Sequence, residues 1–166
     1  MRQSLLLYSI MKVIFIGFLF LCSVLSVNAQ SLNVDDLIKL TSMNYEQANM
    51  YLIREKHYTA LPIINAKGTT VAQFSKNGLN GITELVIKSE WQDEQNVAHP
   101  FVHYDVRPKS YINIIIGQLK SALFSIISKE SDKNKNVWLY ENGRYMMSIY
   151  TFAEKKLPAS IEIHLK

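Results

Sequence analysis

The sequence predicts an α+β domain in which an antiparallel sheet has helices packed on one face. Two short segments repeat apolar residues at helical spacing, whereas most of the remaining chain alternates apolar and polar residues between turn residues. The composition, 48% hydrophobic and 19% charged, excludes a disordered chain. With 166 residues the chain has room for one ordinary domain, which excludes a large multidomain enzyme.

The first 29 residues have the pattern of a secretory signal peptide. Lys12 precedes an apolar run of 13 residues over 13–25, and the small residues Val27 and Ala29 occupy the positions that signal peptidase recognises before Gln30. This run is shorter than the roughly 20 residues that span a bilayer. We therefore expect cleavage before Gln30 and a periplasmic or secreted protein without a membrane span. An uncleaved anchor is the alternative, and the Ala-Gln junction resembles that of exported proteins of Bacteroidota-type Gram-negative bacteria.

The domain prediction follows from that cleavage. Residues 1–29 form the signal peptide, and residues 30–166 form a single α+β domain. The only cysteine, Cys22, lies in the leader, so the mature chain has neither a disulfide nor a thiol nucleophile. Removing Arg2 and Lys12 from the 18 basic residues leaves 16 against 14 acidic ones, a net charge of +2. Because these charges are scattered singly, we expect no nucleic-acid partner.

Three helix starts are recognisable. Asn33 is followed by two acidic residues and an apolar stripe, and Asn44 is followed three positions later by Gln47, its partner in a capping box. After Pro108, the spacing of Ile112, Ile115, Ile116 and Leu119 predicts a third helix, with a strand over 111–116 as the alternative because β-branched residues are indifferent helix formers.

The strands are predicted from alternation. In the clearest, over 83–91, the pattern places Leu85 and Ile87 on the buried face and Glu84 and Lys88 in solvent. A second strand covers 101–106, a third 123–127, and the last 160–166.

The strongest hairpin signal is Asn142-Gly143, within the segment 137–152. These two residue types favour the positive φ angles of a type I′ turn. That turn would place Tyr140 opposite Tyr145 and Trp138 opposite Met147.

A weak internal repeat divides the domain into half-repeats of about 33–107 and 108–166. A shift of 66 residues aligns Asn44-Tyr45 with Ser110-Tyr111 and Tyr58-Thr59 with Phe124-Ser125. Each half then consists of a helix followed by four strands. This order resembles that of beta-lactamase-inhibitor-like secreted proteins, and the resemblance implies two halves aligned in one long concave sheet.

A metal or general-base site is the first chemical candidate. His99, His103 and Asp105 alternate along one strand, so their side chains project from one face. Alternate residues lie nearly 7 Å apart on a strand, which disfavours direct contact between His103 and Asp105. A small-ligand or metal-dependent enzyme or carrier is therefore the alternative function. No cofactor is predicted, since the sequence has no phosphate loop, nucleophile elbow or zinc-protease motif.

Protein binding is the function that the sequence favours. The final hairpin is apolar on both faces, and helices on one side of a sheet cannot cover both. We expect a non-catalytic protein of the cell envelope that recognises another protein through its sheet surface. A homodimer contact or a second core layer explains the same pattern. The predicted contact residues are Trp138, Tyr140, Tyr145, Met147 and Tyr150.

Overall fold

The computed structural model describes residues 31–66, 69–78, 81–92 and 98–166; the predicted leader lies outside them. Within these ranges the chain forms three α-helices, which are α1 (Val34–Ser42), α2 (Tyr45–Met50) and α3 (Ile112–Leu119). A π-helical turn, Tyr51–Glu55, extends α2, and a 3-10 turn, Lys109–Tyr111, precedes α3. The strands are β1 (Thr59–Ala60), β2 (Ile64–Ala66), β3 (Thr69–Asn77), β4 (Thr83–Gln92), β5 (Ala98–Arg107), β6 (Ser125–Ser131), β7 (Lys135–Glu141), β8 (Tyr145–Phe152) and β9 (Ala159–Leu165).

All nine described strands belong to one sheet in the order β1-β3-β4-β5-β9-β8-β7-β6, with β2 also paired to β3. Every pairing is antiparallel, which confirms the predicted strand direction. The C-terminal strand β9 lies at the centre, between β5 and β8. The last strand in the sequence therefore joins the two ends of the sheet.

The predicted fold class, an α+β domain, is wrong. The structure is dominated by its sheet, whereas α1, α2 and α3 contain only nine, six and eight residues. Helical periodicity persists for only two or three turns in each segment, because Met43 and Lys120 already end α1 and α3. No helix of the described ranges is both long enough and apolar enough to cross a membrane.

The helix starts are as predicted. In α1, Asn33 Oδ1 accepts from the backbone N–H of Asp36 at 2.8 Å, and in α2, Asn44 Oδ1 accepts from the N–H of Gln47 at 2.9 Å. In both, the third residue of the helix returns a hydrogen bond to the cap, which completes a capping box. The apolar stripe of α1 then packs across β5 and β9.

The faces of β4 are opposite to the prediction. Glu84 and Lys88 are each only 4% exposed and flank the fully buried Val86, whereas Leu85 and Ile87 are half-buried on the other face. Alternation separates the two sets of residues but does not say which set faces the core. Buried hydrogen-bond partners make the polar set the inner one here.

The β7–β8 hairpin also differs from its prediction. Trp138 pairs with Ile149 and Tyr140 with Met147, so the four residues 142–145 lie between the last paired residues, Glu141 and Met146. Neither Asn142 nor Gly143 has positive φ; among the described residues only His57, Gly81 and Leu123 do. Asn142 Oδ1 instead accepts from the backbone N–H groups of Arg144 and Tyr145 at 2.9 and 2.8 Å. This side chain closes a longer turn and replaces the type I′ geometry.

Two of the helical segments, α2 with its π-helical turn and α3, are followed by a residue with left-handed backbone. Leu123 has φ of 61°, and the N–H of Phe124 reaches back to the carbonyl of Leu119 at 2.9 Å. His57 has φ of 60° at the end of the π-helical turn, where Tyr58 bonds to Leu52. Glycine is the usual residue at such a helix end. Leu123 therefore closes the turn that follows α3, at a place where the sequence predicts the start of a strand.

Candidate functional site

The sheet face opposite the helices, called the open face below, is the broadest surface available for recognition. One row of half-buried side chains crosses seven strands, with one residue on each; from β3 to β6 it consists of Gln73, Ile87, His103, Glu162, Ser148, Leu139 and Ser128. The neighbouring rows add further half-buried apolar side chains, among them Leu85, Phe101, Val137 and Met146. Strand alternation sends these residues outward because their neighbours fill the core.

A polar cluster of side chains from β5, β8 and β9 occupies the centre of this face. His103 Nε2–H donates to Asp105 Oδ1 at 2.9 Å, and its Nδ1–H donates to Glu162 Oε1 at 3.4 Å. Tyr150 donates its hydroxyl to Glu162 Oε2 at 2.8 Å, and Ser160 Oγ donates to Asp105 Oδ1 at 2.5 Å. Each of the two carboxylates therefore contacts the imidazole and one hydroxyl group.

These contacts keep His103 protonated at neutral pH. Its hydrogen bonds to Asp105 and Glu162 outweigh burial and raise its pKa to about 9. Burial opposes the ionisation of Asp105, but hydrogen bonds from His103 and Ser160 outweigh that effect and lower its pKa. The hydrogen bond from His103 lowers the pKa of Glu162. The cluster thus holds one cation between two anions and carries a net negative charge.

The arrangement of His103 and Asp105 differs from the one that the metal hypothesis assumed. His103 and Asp105 do touch, because the imidazole lies along the strand and bridges the distance that disfavoured their contact. However, both ring nitrogens of His103 face carboxylates, so neither directs a lone pair toward a shared ion with His99. Among the described residues no group of three or more His, Cys, Asp or Glu side chains could hold a metal ion.

The predicted contact residues do not share one surface. Met147 is fully buried and Tyr145 is 8% exposed, so the assignment of both to a contact surface is wrong. Trp138 and Tyr140 lie on the same side as these two and pack against the core. Only Tyr150 lies on the open face, because strand alternation places it opposite the core-facing side chains of Tyr145, Met147 and Ile149. The same strands present Val137, Leu139 and Met146 there instead.

Sequence reasoning also missed three buried charged side chains on the opposite, helix-covered side. Glu84 accepts hydrogen bonds from the hydroxyls of Tyr58, Tyr104 and Ser31. Lys88 donates to the carbonyl of Leu40 at 2.9 Å, near the C-terminal end of α1. Their alternation with Val86 was the available signal, but it does not distinguish a buried polar residue from a solvated one.

Asp36 is the third of these buried charged groups. It caps the N-terminus of α1 and also accepts from Tyr51 and from Lys56 Nζ, the latter at 2.8 Å. Burial, followed by the hydrogen bond to Asp36, raises the pKa of Tyr51. These contacts tie α1 to the π-helical turn, so we assign them to the stability of the fold.

Comparison with known proteins found no match for this chain. No protein-family model, no curated protein and no solved structure matches it. Its function must therefore be argued from the open face itself.

Proposed function

We propose that this protein is an exported, non-catalytic binding protein of the cell envelope that recognises another protein through its open face. The observation that carries the proposal is the continuous row of half-buried side chains across seven strands of the sheet. Such breadth suits the extended surface of a folded partner better than it suits a small molecule, which binds in a concave pocket.

The chemistry of the open face supports this choice. Phe101, Met146 and Tyr150 are residue types that are enriched in protein interfaces. Ile87 and Leu139 lie on either side of the central polar cluster, so apolar contact area surrounds a group of fixed charges. The cluster is rigid because each of its members is held by another, which limits the conformational entropy lost on binding.

Site-specific photocrosslinking in the envelope tests the proposal. A photoreactive amino acid at Phe101 or Leu139 should crosslink one protein species, identified by mass spectrometry, while the same probe at Ile53 on the outer helix surface should not. Ile53 is 37% exposed and therefore a fair control. Ile87→Glu should abolish the crosslink from Phe101, whereas Ile53→Glu should preserve it. Equal crosslinking from Phe101 and Ile53 would reject the open face as the contact surface.

Two further measurements address the compartment and the alternative function. N-terminal sequencing of the protein from the envelope should begin at Gln30, and recovery of a chain starting at Met1 or Met11 would reject the predicted cleavage. Metal analysis of the same preparation tests the carrier or enzyme that would use His99, His103 and Asp105. Stoichiometric zinc that is lost on His103→Ala would favour that alternative.

A further inference from the structure

Lys88 is a buried amine on the helix-covered side of the sheet. It lies on β4, is 4% exposed, and donates through Nζ to the carbonyl of Leu40 at 2.9 Å. A lysine ammonium carries three N–H donors. In the described part of the chain, Leu40 supplies its one acceptor and no carboxylate forms an ion pair with it. Lys88 is therefore a buried cation whose hydrogen bonding is incomplete.

Burial without a paired carboxylate favours the neutral form of this amine. Burial lowers the pKa of Lys88, although the charge of Glu90 opposes the effect in part. A neutral amine has a free electron pair on its nitrogen, and a desolvated lysine is a nucleophile toward carbonyl groups. This reactivity can be used only where a small molecule reaches the nitrogen.

A small cavity beside Lys88 gives that access. Its volume is about 30 Å³, which is room for about two or three atoms the size of a water molecule. Its wall includes two cross-strand pairs of β3 and β4, Ala72 with Lys88 and Thr70 with Glu90. Tyr45 of α2 also lines it. Because Thr70 and Glu90 are exposed, the cavity opens to solvent beside this pair.

We propose that Lys88 binds a small aliphatic aldehyde covalently, as a protonated imine whose carbon occupies this cavity. The electron pair of Nζ attacks the carbonyl carbon, and the carbonyl oxygen leaves as water with one proton from the nitrogen and one from solvent. The product keeps the positive charge, which the C-terminal end of α1 stabilises. It also keeps a single N–H, which matches the single acceptor at Leu40.

The same electrostatics disfavour other modifications of Lys88, because an acyl group would remove its charge and a carboxyl group would reverse it. The cavity size favours an aldehyde over a bulkier ketone. This inference goes beyond the proposed function and concerns the opposite side of the sheet, so the two can fail separately.

Reductive trapping on the purified native protein tests the proposal. Acetaldehyde with cyanoborohydride at pH 7 converts each imine into an ethylated amine by adding hydride to the imine carbon, and peptide mass spectrometry then ranks the lysines. We expect Lys88 to be ethylated several times faster than the exposed Lys120 and Lys155. In urea all three should react alike. If Lys88 only caps α1, it should react last in the native protein, and that order would overturn the proposal.

Two comparisons test the role of the cavity. Acetone should modify the exposed lysines but not Lys88, and an equal preference for Lys88 with both reagents would contradict the proposed site. Ala72→Val should fill part of the cavity and slow ethylation of Lys88 several-fold, whereas Val71→Ile, on the open face of the same strand, should not. Unchanged ethylation in a folded Ala72→Val protein would also overturn the proposal. If that variant does not fold, the ranking of lysines in the native protein decides.

Discussion

His103 is the residue through which the open face acquires fixed charges. Its two carboxylate partners come from different strands, Asp105 from β5 and Glu162 from β9, so the imidazolium links the two strands at the centre of the sheet. Because the side chain of His103 is 21% exposed, solvent screens these contacts only in part. The cluster should therefore stabilise the fold as well as shape the surface.

The first prediction concerns the pH dependence of that stability. Because folding raises the pKa of His103 to about 9, its contribution is complete below about pH 6.5 and is lost as pH rises through about 9. We expect the free energy of unfolding, measured in urea, to fall between pH 6 and pH 10 by about 2 kcal/mol more in the native protein than in His103→Gln. The lowered pKa values of Asp105 and Glu162 act oppositely, so their contribution is lost only in acid. Parallel pH profiles for the two proteins between pH 6 and pH 10 would contradict this assignment.

Glu84 carries the second prediction at this scale. Replacing it with alanine leaves the buried hydroxyls of Tyr58 and Tyr104 without their acceptor, so Glu84→Ala should cost about 2–4 kcal/mol of unfolding free energy. Glu90→Ala, on the same strand but exposed, should change stability by less than about 0.5 kcal/mol. Denaturant unfolding measures both. Similar losses in the two variants would show that the buried hydroxyls do not depend on Glu84.

At the scale of elements, the β7–β8 turn shows how one side chain selects the hairpin register. Two hydrogen bonds to Asn142 Oδ1 hold the connection, and that connection determines which residue of β8 pairs with each residue of β7. This pairing differs from that of a two-residue turn by two residues, a shift that keeps each side chain on its own face, so Met146 and Tyr150 lie on the open face and Tyr145 and Met147 lie in the core in either register.

The third prediction follows from this geometry. Asn142→Ala should cost about 1–2 kcal/mol because two backbone N–H groups lose their acceptor. Gly143→Ala should change stability by less than about 0.5 kcal/mol, since Gly143 lacks positive φ and no atom beyond its two chain neighbours lies within 4 Å of an added Cβ. The Tm values of both variants, measured by thermal unfolding, test this difference. A larger loss of stability in Gly143→Ala than in Asn142→Ala would instead support a type I′ turn with positive φ at Gly143.

At the scale of the whole molecule, the central place of β9 makes the sheet a single structural unit. Its residues pair with β5 on one side and with β8 on the other, and Ile161 and Ile163 are fully buried between them. The full sheet therefore requires the last strand of the chain, β9. Many of its contacts join residues that are far apart in the sequence.

The fourth prediction tests whether the sheet folds as a single unit. Ile161→Ala should cost about 2–5 kcal/mol, whereas Ile126→Ala on the edge strand should cost less than about 1 kcal/mol. Removing residues 159–166 should abolish cooperative unfolding in urea, because β5 and β8 each lose a partner. A truncated chain that retained a cooperative transition would show that one part of the sheet folds without the other.

The sequence by itself determined the features that depend on neighbours along the chain. Capping at Asn33 and Asn44, the apolar stripe of Ile112, Ile115 and Leu119, and the positions of the long strands all follow from spacing within a few residues. The chain alone also distinguishes the two sets of alternating residues within each strand. These features are local because a cap or a strand period is set by the backbone of one element.

Only the tertiary structure decided which side of each strand faces the core and which residues meet across strands. Glu84 became buried because Tyr58, Tyr104 and Ser31 converge on it from distant parts of the chain. The contact of His103 with Glu162 depends on the pairing of β5 with β9, which lie 59 residues apart at this point. Sheet dominance was likewise decided by cross-strand pairing, since alternation alone does not reveal that all the described strands share one sheet. Burial and partnership are properties of the assembled sheet, so no local pattern contains them.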